Sequence, residues 1–368
     1  MRLTDAKLAV AVGGLSLAFF GVQAFAAPAN GTWLNDAGGV WTTGTNWQGG
    51  VPISTTVATF GNVPITADRT VTLATSQSVG GLTFKNETPY KWTIQRTGGN
   101  GLTLGANSFI DVQGGVAVVS AKLLGASGYT KSGVGTLSLP SVGGSGDLGG
   151  TINVTQGTLN LANRQLLGQN IQVAVSSGAT LSGSGTIGSN TSPVNVGLTV
   201  ATGAEFTSAN LVANTQDGLL TVNGTLNLGS GAEYHVYVDD IYSSLSAASQ
   251  FEALTLVQTG VTKVNVTGMS ALAGLFDASY PAGYSWKIGH LASGVFNLNN
   301  FDLNENEISG FFGVENGAGF SLSLSGNKSD LYLQYSAVPE ATTMILGGMA
   351  VMPILMQRRR QRGAAAQA

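Results

Sequence analysis

The unit Gly135-Thr136-Leu137-Ser138-Leu139 returns as Gly157-Thr158-Leu159-Asn160-Leu161, an interval of 22 residues, with Thr151-Ile152-Asn153-Val154 between the two copies. In an extended strand successive side chains point to opposite faces, so the Leu, Ile and Val positions fall on one face and Thr, Ser and Asn on the other. A glycine ahead of each short strand admits a positive-φ corner. One such unit cannot bury its own apolar face, whereas stacked units can form a continuous core. Gly178-Ala179-Thr180-Leu181, Gly185-Thr186-Ile187 and Gly224-Thr225-Leu226-Asn227-Leu228 repeat the theme. So, upstream, do Val57-Ala58-Thr59-Phe60, Thr70-Val71-Thr72-Leu73, Gly81-Leu82-Thr83-Phe84, Gly101-Leu102-Thr103-Leu104 and Phe109-Ile110-Asp111-Val112. The pattern predicts an all-β chain built as a parallel β-helix, a solenoid of roughly ten to fourteen rungs and about 50–65 Å at about 4.8 Å per rung. An antiparallel sandwich with glycine turns is the competing architecture.

Composition agrees with many short strands and tight turns. Glycine supplies 53 of 368 residues and only 10% are charged, about twice the usual glycine share. Low charge with abundant Val, Ile and Leu is not a disorder signature. The absence of cysteine excludes disulfides, thiol catalysis and cysteine metal sites.

Both ends carry address-like segments. Arg2 and Lys7 precede an apolar stretch from Leu8 to Phe25, and Ala24-Phe25-Ala26 fits a small-x-small cleavage site, so residues 1–26 read as a signal peptide cut between Ala26 and Ala27. An uncleaved N-terminal anchor is the alternative. At the other end, sixteen uncharged residues, Ala341 to Met356, precede Arg358, Arg359, Arg360 and Arg362. As a transmembrane helix they would span about 24 Å against about 30 Å of hydrocarbon, with the arginines snorkelling on the cytoplasmic side. Without both segments the chain keeps 10 basic and 17 acidic residues, a net charge near −7. That balance argues against a nucleic-acid partner.

Two family resemblances follow from these residues. Val338-Pro339-Glu340, the apolar run and Arg358 to Arg360 resemble the PEP-CTERM sorting signal of Gram-negative bacteria, with Ala341 where the family usually has a second proline. The resemblance implies processing by an exosortase, a membrane transpeptidase, after transient anchoring in the inner membrane, and a final place at the cell surface or outside it. A plain membrane anchor is the alternative. Ser132-Gly133-Val134-Gly135-Thr136-Leu137-Ser138-Leu139, with Gly149 to Val154 and Gln156 to Leu161, resembles the autotransporter-associated β-strand repeat. That likeness implies a right-handed β-helix and little about activity. A sorting tail stands where autotransporters carry a translocating barrel, so autotransport is not expected.

The expected organisation is a signal peptide at 1–26, a Trp-rich cap at 27–60, the solenoid at 61–230, a closing β module at 231–337, the sorting signal at 338–362 and a tail at 363–368. Trp33, Trp41 and Trp47 could stack on sugar rings or plug the open end of the rod. The plug is favoured, because every stacked array needs an end cap.

Catalytic patterns are sparse. Gly183-Ser184-Gly185-Thr186-Ile187-Gly188 spells a dinucleotide fingerprint, but Ser189-Asn190-Thr191-Ser192-Pro193 follows where a helix would be needed. Gly143-Gly144-Ser145-Gly146-Asp147 is one residue short of a calcium nonapeptide, and His235 and His290 have no third partner in sequence. Asp239 and Asp240 would face opposite sides of a strand, whereas Glu305 and Glu307, near Asp302, would share one. No cofactor, metal or catalytic residue is assigned. The reading is a non-enzymatic, exported solenoid associated with exopolysaccharide. A polysaccharide-degrading enzyme on the same scaffold is the alternative.

Overall fold

In the computed structural model of the chain, the described residues are 29–85, 89–143, 148–168, 170–190, 195–213, 218–238, 248, 250–268, 284–304 and 319–335. The signal peptide, the sorting signal and the apolar run before Arg358 lie outside them. Among the described residues no helix is long and apolar enough to cross a membrane.

The chain winds as a parallel β-solenoid with three faces. One face is a sheet of eleven strands, from Gly39–Val40 to Phe301–Leu303, each paired in parallel with the next. The other two faces merge into a second sheet, because long strands such as Leu219–Leu228 and Gln250–Gln258 turn the corner between them at a register shift. Eleven strands lie within the expected rung count, and the stacked register replaces the sandwich alternative.

The repeat is visible where the rungs are shortest. Thr136 pairs with Thr158, and Thr158 with Thr180, at 22-residue steps. Elsewhere the turn length varies, from 20 residues between Val116 and Thr136 to 39 between Lys263 and Asp302. This explains the expected break at 230. Parallel pairing continues through it, Glu233–Val238 onto Thr262–Gly268 and that strand onto Phe301–Leu303. Lengthened corners, not a change of architecture, dilute the pattern there. Between named strands, antiparallel pairing is confined to the two ends: Gly31–Trp33 with Trp47–Gln48 at the start, and Asp330–Tyr335 with Tyr284–Leu291 and Phe320–Leu324 at the close.

Glycine acts in two ways at the corners. Gly157 has φ +59°, and a Cβ there would lie 2.5 Å from the Gly135 carbonyl oxygen. Gly135 has no positive φ, but its Cβ would stand 2.8 Å from the Gly114 backbone, so stacked corners leave it no room.

The lumen is filled by alternate side chains. In its middle these are mostly aliphatic, for example Ile110, Ile152, Leu159, Val173, Leu181 and Leu198. Aromatics fill both ends. At the start Trp33 and Trp47 have ring centroids 4.9 Å apart, Trp41 and Trp47 5.0 Å, and Phe60 lies 5.2 Å from Phe84 and 5.5 Å from Trp92. Near the other end Phe206 stacks on Tyr234 at 4.6 Å, and Phe251, Phe296 and Phe301 continue the cluster.

Two cations lie inside this core. Lys131, fully buried, donates to the carbonyl oxygens of Ser132 (3.0 Å), Gly133 (2.6 Å), Gly135 (2.6 Å) and Gln156 (2.9 Å). An ammonium has three protons, so four acceptors crowd it and tie two successive corners together. Arg164, also buried, reaches the carbonyls of Pro140 (3.1 Å) and Ala121 (2.9 Å).

Burial lowers the Lys131 ammonium to about 8 from 10.5, against the opposing pull of Asp111. Between those values the unfolded chain keeps a proton that the folded chain has released, so this group adds stability as pH rises through the window. Lys131→Met should lower stability by about 2 kcal/mol at neutral pH, by stranding buried carbonyls. Denaturant titrations of both proteins should show the gap widening between about pH 8 and 10.5.

Candidate functional site

All five tryptophans are buried, none more than 4% exposed. Trp33, Trp41 and Trp47 turn their rings onto one another and onto Phe60. Their faces are spent inside the cap, where the favoured plug reading puts them, and are not turned to solvent for the alternative of sugar stacking. Any surface chemistry has to come from the outward rows.

One outward row crosses the solenoid in register: Gln165, Thr186, Thr221, Glu252, His290 and finally Asp330 on the antiparallel closing strand. It begins as amide and hydroxyl groups and ends as acid, imidazole and acid. His290 Nδ1 lies 2.8 Å from Asp330 Oδ1. A carboxylate only accepts, so Nδ1 carries a proton, and a ring with that single proton has its lone pair at Nε2. Among the described residues the Glu252 side chain makes no hydrogen bond or ion pair. Above Thr221, Glu252 and His290 is a cleft of about 330 Å³, also bordered by Asn190, Val222, Asn223, Ala253, Leu254 and Ala292. Asn223 Nδ2 donates to the Gly188 carbonyl at 2.8 Å, which pins one wall.

A second polar cluster lies on the eleven-stranded face, whose outward row runs Thr136, Thr158, Thr180, Glu205, Glu233, Lys263, Asp302. His235 Nδ1 makes a short contact with Glu205 Oε1, and Thr180 Oγ1 donates to Glu205 Oε2 at 3.2 Å. Burial pushes the Glu205 carboxyl up. The His235 hydrogen bond and charge, with the Thr180 hydroxyl, outweigh it and hold the group below its ordinary value. Beside them Asn265 Nδ2 donates to Glu233 Oε2 and Asn304 Nδ2 to Asn265 Oδ1, both at 2.9 Å. Thr267 Oγ1 is 3.3 Å from His235 Nε2. Hydroxyl, imidazole and carboxylate thus stand in the order of a nucleophilic triad. Thr267, however, is inside a strand paired residue for residue with its neighbour, so its backbone N–H belongs to the sheet and builds no oxyanion hole. The cluster reads as a latch across rungs.

The remaining sequence candidates separate. Gly183 to Gly188 forms a corner and the strand Gly185–Ile187, paired on both sides, and the described residues directly after it, up to the strand Gly197–Val200, hold no helix. Asp302 is on the outer row opposite Lys263. Asp239, Asp240, Glu305, Glu307 and Gly144 to Asp147 lie outside the described residues, as do Ala24, Ala26, Ala27, Val338, Pro339, Glu340, Arg358, Arg359 and Arg360. Among the described residues no three His, Asp or Glu side chains are grouped to hold a metal ion. Sequence reasoning missed that each histidine has a carboxylate partner. The partners are 30 and 40 residues away, and only the register joins them.

No protein-family model matches the chain. A 120-residue stretch, 32% of the chain, is 36% identical to the "Adhesin BmaC autotransporter" of Brucella suis biovar 1 (strain 1330). The chain spans 3% of that relative's length. Over this third the chain is similar to an autotransporter adhesin.

His235→Ala would leave Glu205 with its burial and without its main partner. The wild-type contribution is present above the ordinary carboxyl value of 4.5 and is lost as pH falls through the lowered one. In thermal melts from pH 3 to 7, the variant should be less stable than the wild type near neutral pH, and the gap should close as pH falls below 4.5.

Proposed function

We propose that this chain is an exported, non-enzymatic surface rod that adheres to polysaccharide and is sorted by an exosortase. The observation that carries the adhesive part is the set of outward rows. Thr and Gln side chains repeat on successive strands at the rung spacing of about 4.8 Å, for example Thr136, Thr158 and Thr180 or Gln165, Thr186 and Thr221. Such rows offer hydroxyl and amide groups to a repetitive ligand along one direction. The partial similarity to an adhesin supports the same reading and its surface location. The Val338-Pro339-Glu340 box, the apolar run and the arginine cluster support the sorting step. In this reading Arg358, Arg359 and Arg360 hold the tail in the inner membrane until cleavage.

The acid–histidine–acid row beside the cleft is the feature an enzyme would need, and it favours no enzyme. A glycosidase places two free carboxyls across one bond, whereas Asp330 is committed to His290.

The test is the intact mass of the protein recovered from its host with and without exosortase. The expected product ends between Val338 and Ala341 in the first strain and retains Arg362 in the second. Retention of Arg362 in both overturns the sorting step. Replacing Arg358, Arg359 and Arg360 together by Gln should release unprocessed chain from the membrane fraction, and unchanged retention and processing would remove the arginines from that role.

A further inference from the structure

We infer that the cleft at Glu252 and His290 binds an amino-sugar residue of a polysaccharide, with the ligand's ammonium on Glu252. Its meaning rests on the adhesive reading above, but the site is argued from its own groups.

Unpaired acceptors dominate the cleft. The Glu252 side chain has no partner among the described residues, and Asn223 uses its amide nitrogen on Gly188, leaving its oxygen to accept. His290, with Nδ1 against Asp330, presents Nε2 as an acceptor when neutral. A ligand that satisfies all three must bring several donors. The cleft's charge selects among donors. Glu252, with Asp330 behind His290, makes two carboxylates beside one imidazole, and among the described residues no lysine or arginine borders the space. A uronate or sulfated sugar would meet two carboxylates, while an ammonium would gain a charge-assisted hydrogen bond.

The shape selects a polymer over a free amine. Its volume of about 330 Å³ is at the lower end of small-molecule sites. Thr221, Thr186 and Gln165 continue from it along the rod on successive strands. Their spacing of about 4.8 Å is close to the advance per residue of an extended pyranose chain. Hydroxyl groups of neighbouring sugars would meet this hydroxyl and amide row, and the amino group would fix the register at Glu252.

Calorimetry with the full-length chain and three soluble hexamers tests the inference: glucosamine, N-acetylglucosamine and guluronate. Glucosamine hexamer should bind at least about tenfold more tightly than the other two, a ratio matching one charge-assisted bond. Glu252→Gln, which keeps shape and removes charge, should lose about tenfold for glucosamine and leave the thermal melt unchanged. Glu233→Gln, on another face, should bind as the wild type. Equal affinity for the acetylated hexamer, or no change in Glu252→Gln, overturns the site. A chain that ignores all three hexamers yet still adheres to its host's polysaccharide overturns this inference alone. A chain that does neither overturns the adhesive reading as well.

Discussion

The structure depends on backbone hydrogen bonds between consecutive turns of the coil, and these do not stop at the corners. Thr155 donates to Lys131, Ser176 to Val154, Ala201 to Val175, Gly229 to Val200 and Thr259 to Leu228, one corner above another. A buried polar backbone needs partners wherever it bends, and in this coil each turn supplies them to the next. A turn therefore has no stable conformation apart from its neighbours, and stability is shared along the array. This also explains how turns of 20 to 39 residues coexist. The extra residues bulge outward at corners while the strands stay in register.

The interior follows the same logic. Short strands in the middle bring in one or two aliphatic side chains each, and these stack on their equivalents above and below. Where the stack ends there is no next layer, and larger rings close the opening. Lys131 and Arg164 depart from the apolar rule, but each binds carbonyl oxygens of corners on different turns, an arrangement that apolar side chains could not supply. Lys131 is placed where glycine corners turn carbonyl groups toward the lumen, and Arg164 where the Pro140 and Ala121 carbonyls do so.

Much of this was legible in the residues. The Gly-Thr-Leu unit at 135 and 157 predicts parallel rungs because its apolar positions keep the same parity in both copies, and the structure pairs Leu137 with Leu159 and Leu159 with Leu181. The tryptophan cap was legible as a plug by the need to end a stack. The inward placement of Lys131 had a signal that went unread: it shares the parity of Tyr129, which is also buried. The two acid–histidine pairs had none. Their partners come from different turns, and the length of each turn is set by corners that carry no periodic pattern. The same irregularity hid the continuation of parallel pairing beyond 230.

Parallel strands stacked at a fixed spacing are also the internal geometry of a fibril, which grows because its last strand always exposes an edge to pair. In the merged sheet this chain closes that edge within itself. Trp47–Gln48 runs antiparallel against the first strand, Gly31–Trp33, and the closing strands Asp330–Tyr335 and Phe320–Leu324 do the same at the opposite end. The coil is in effect a fibril of predetermined length. On the adhesive function proposed above, copies gathered on a polysaccharide would meet side by side through their outward rows, giving a coat whose thickness is set by the molecule and whose extent is set by the polymer.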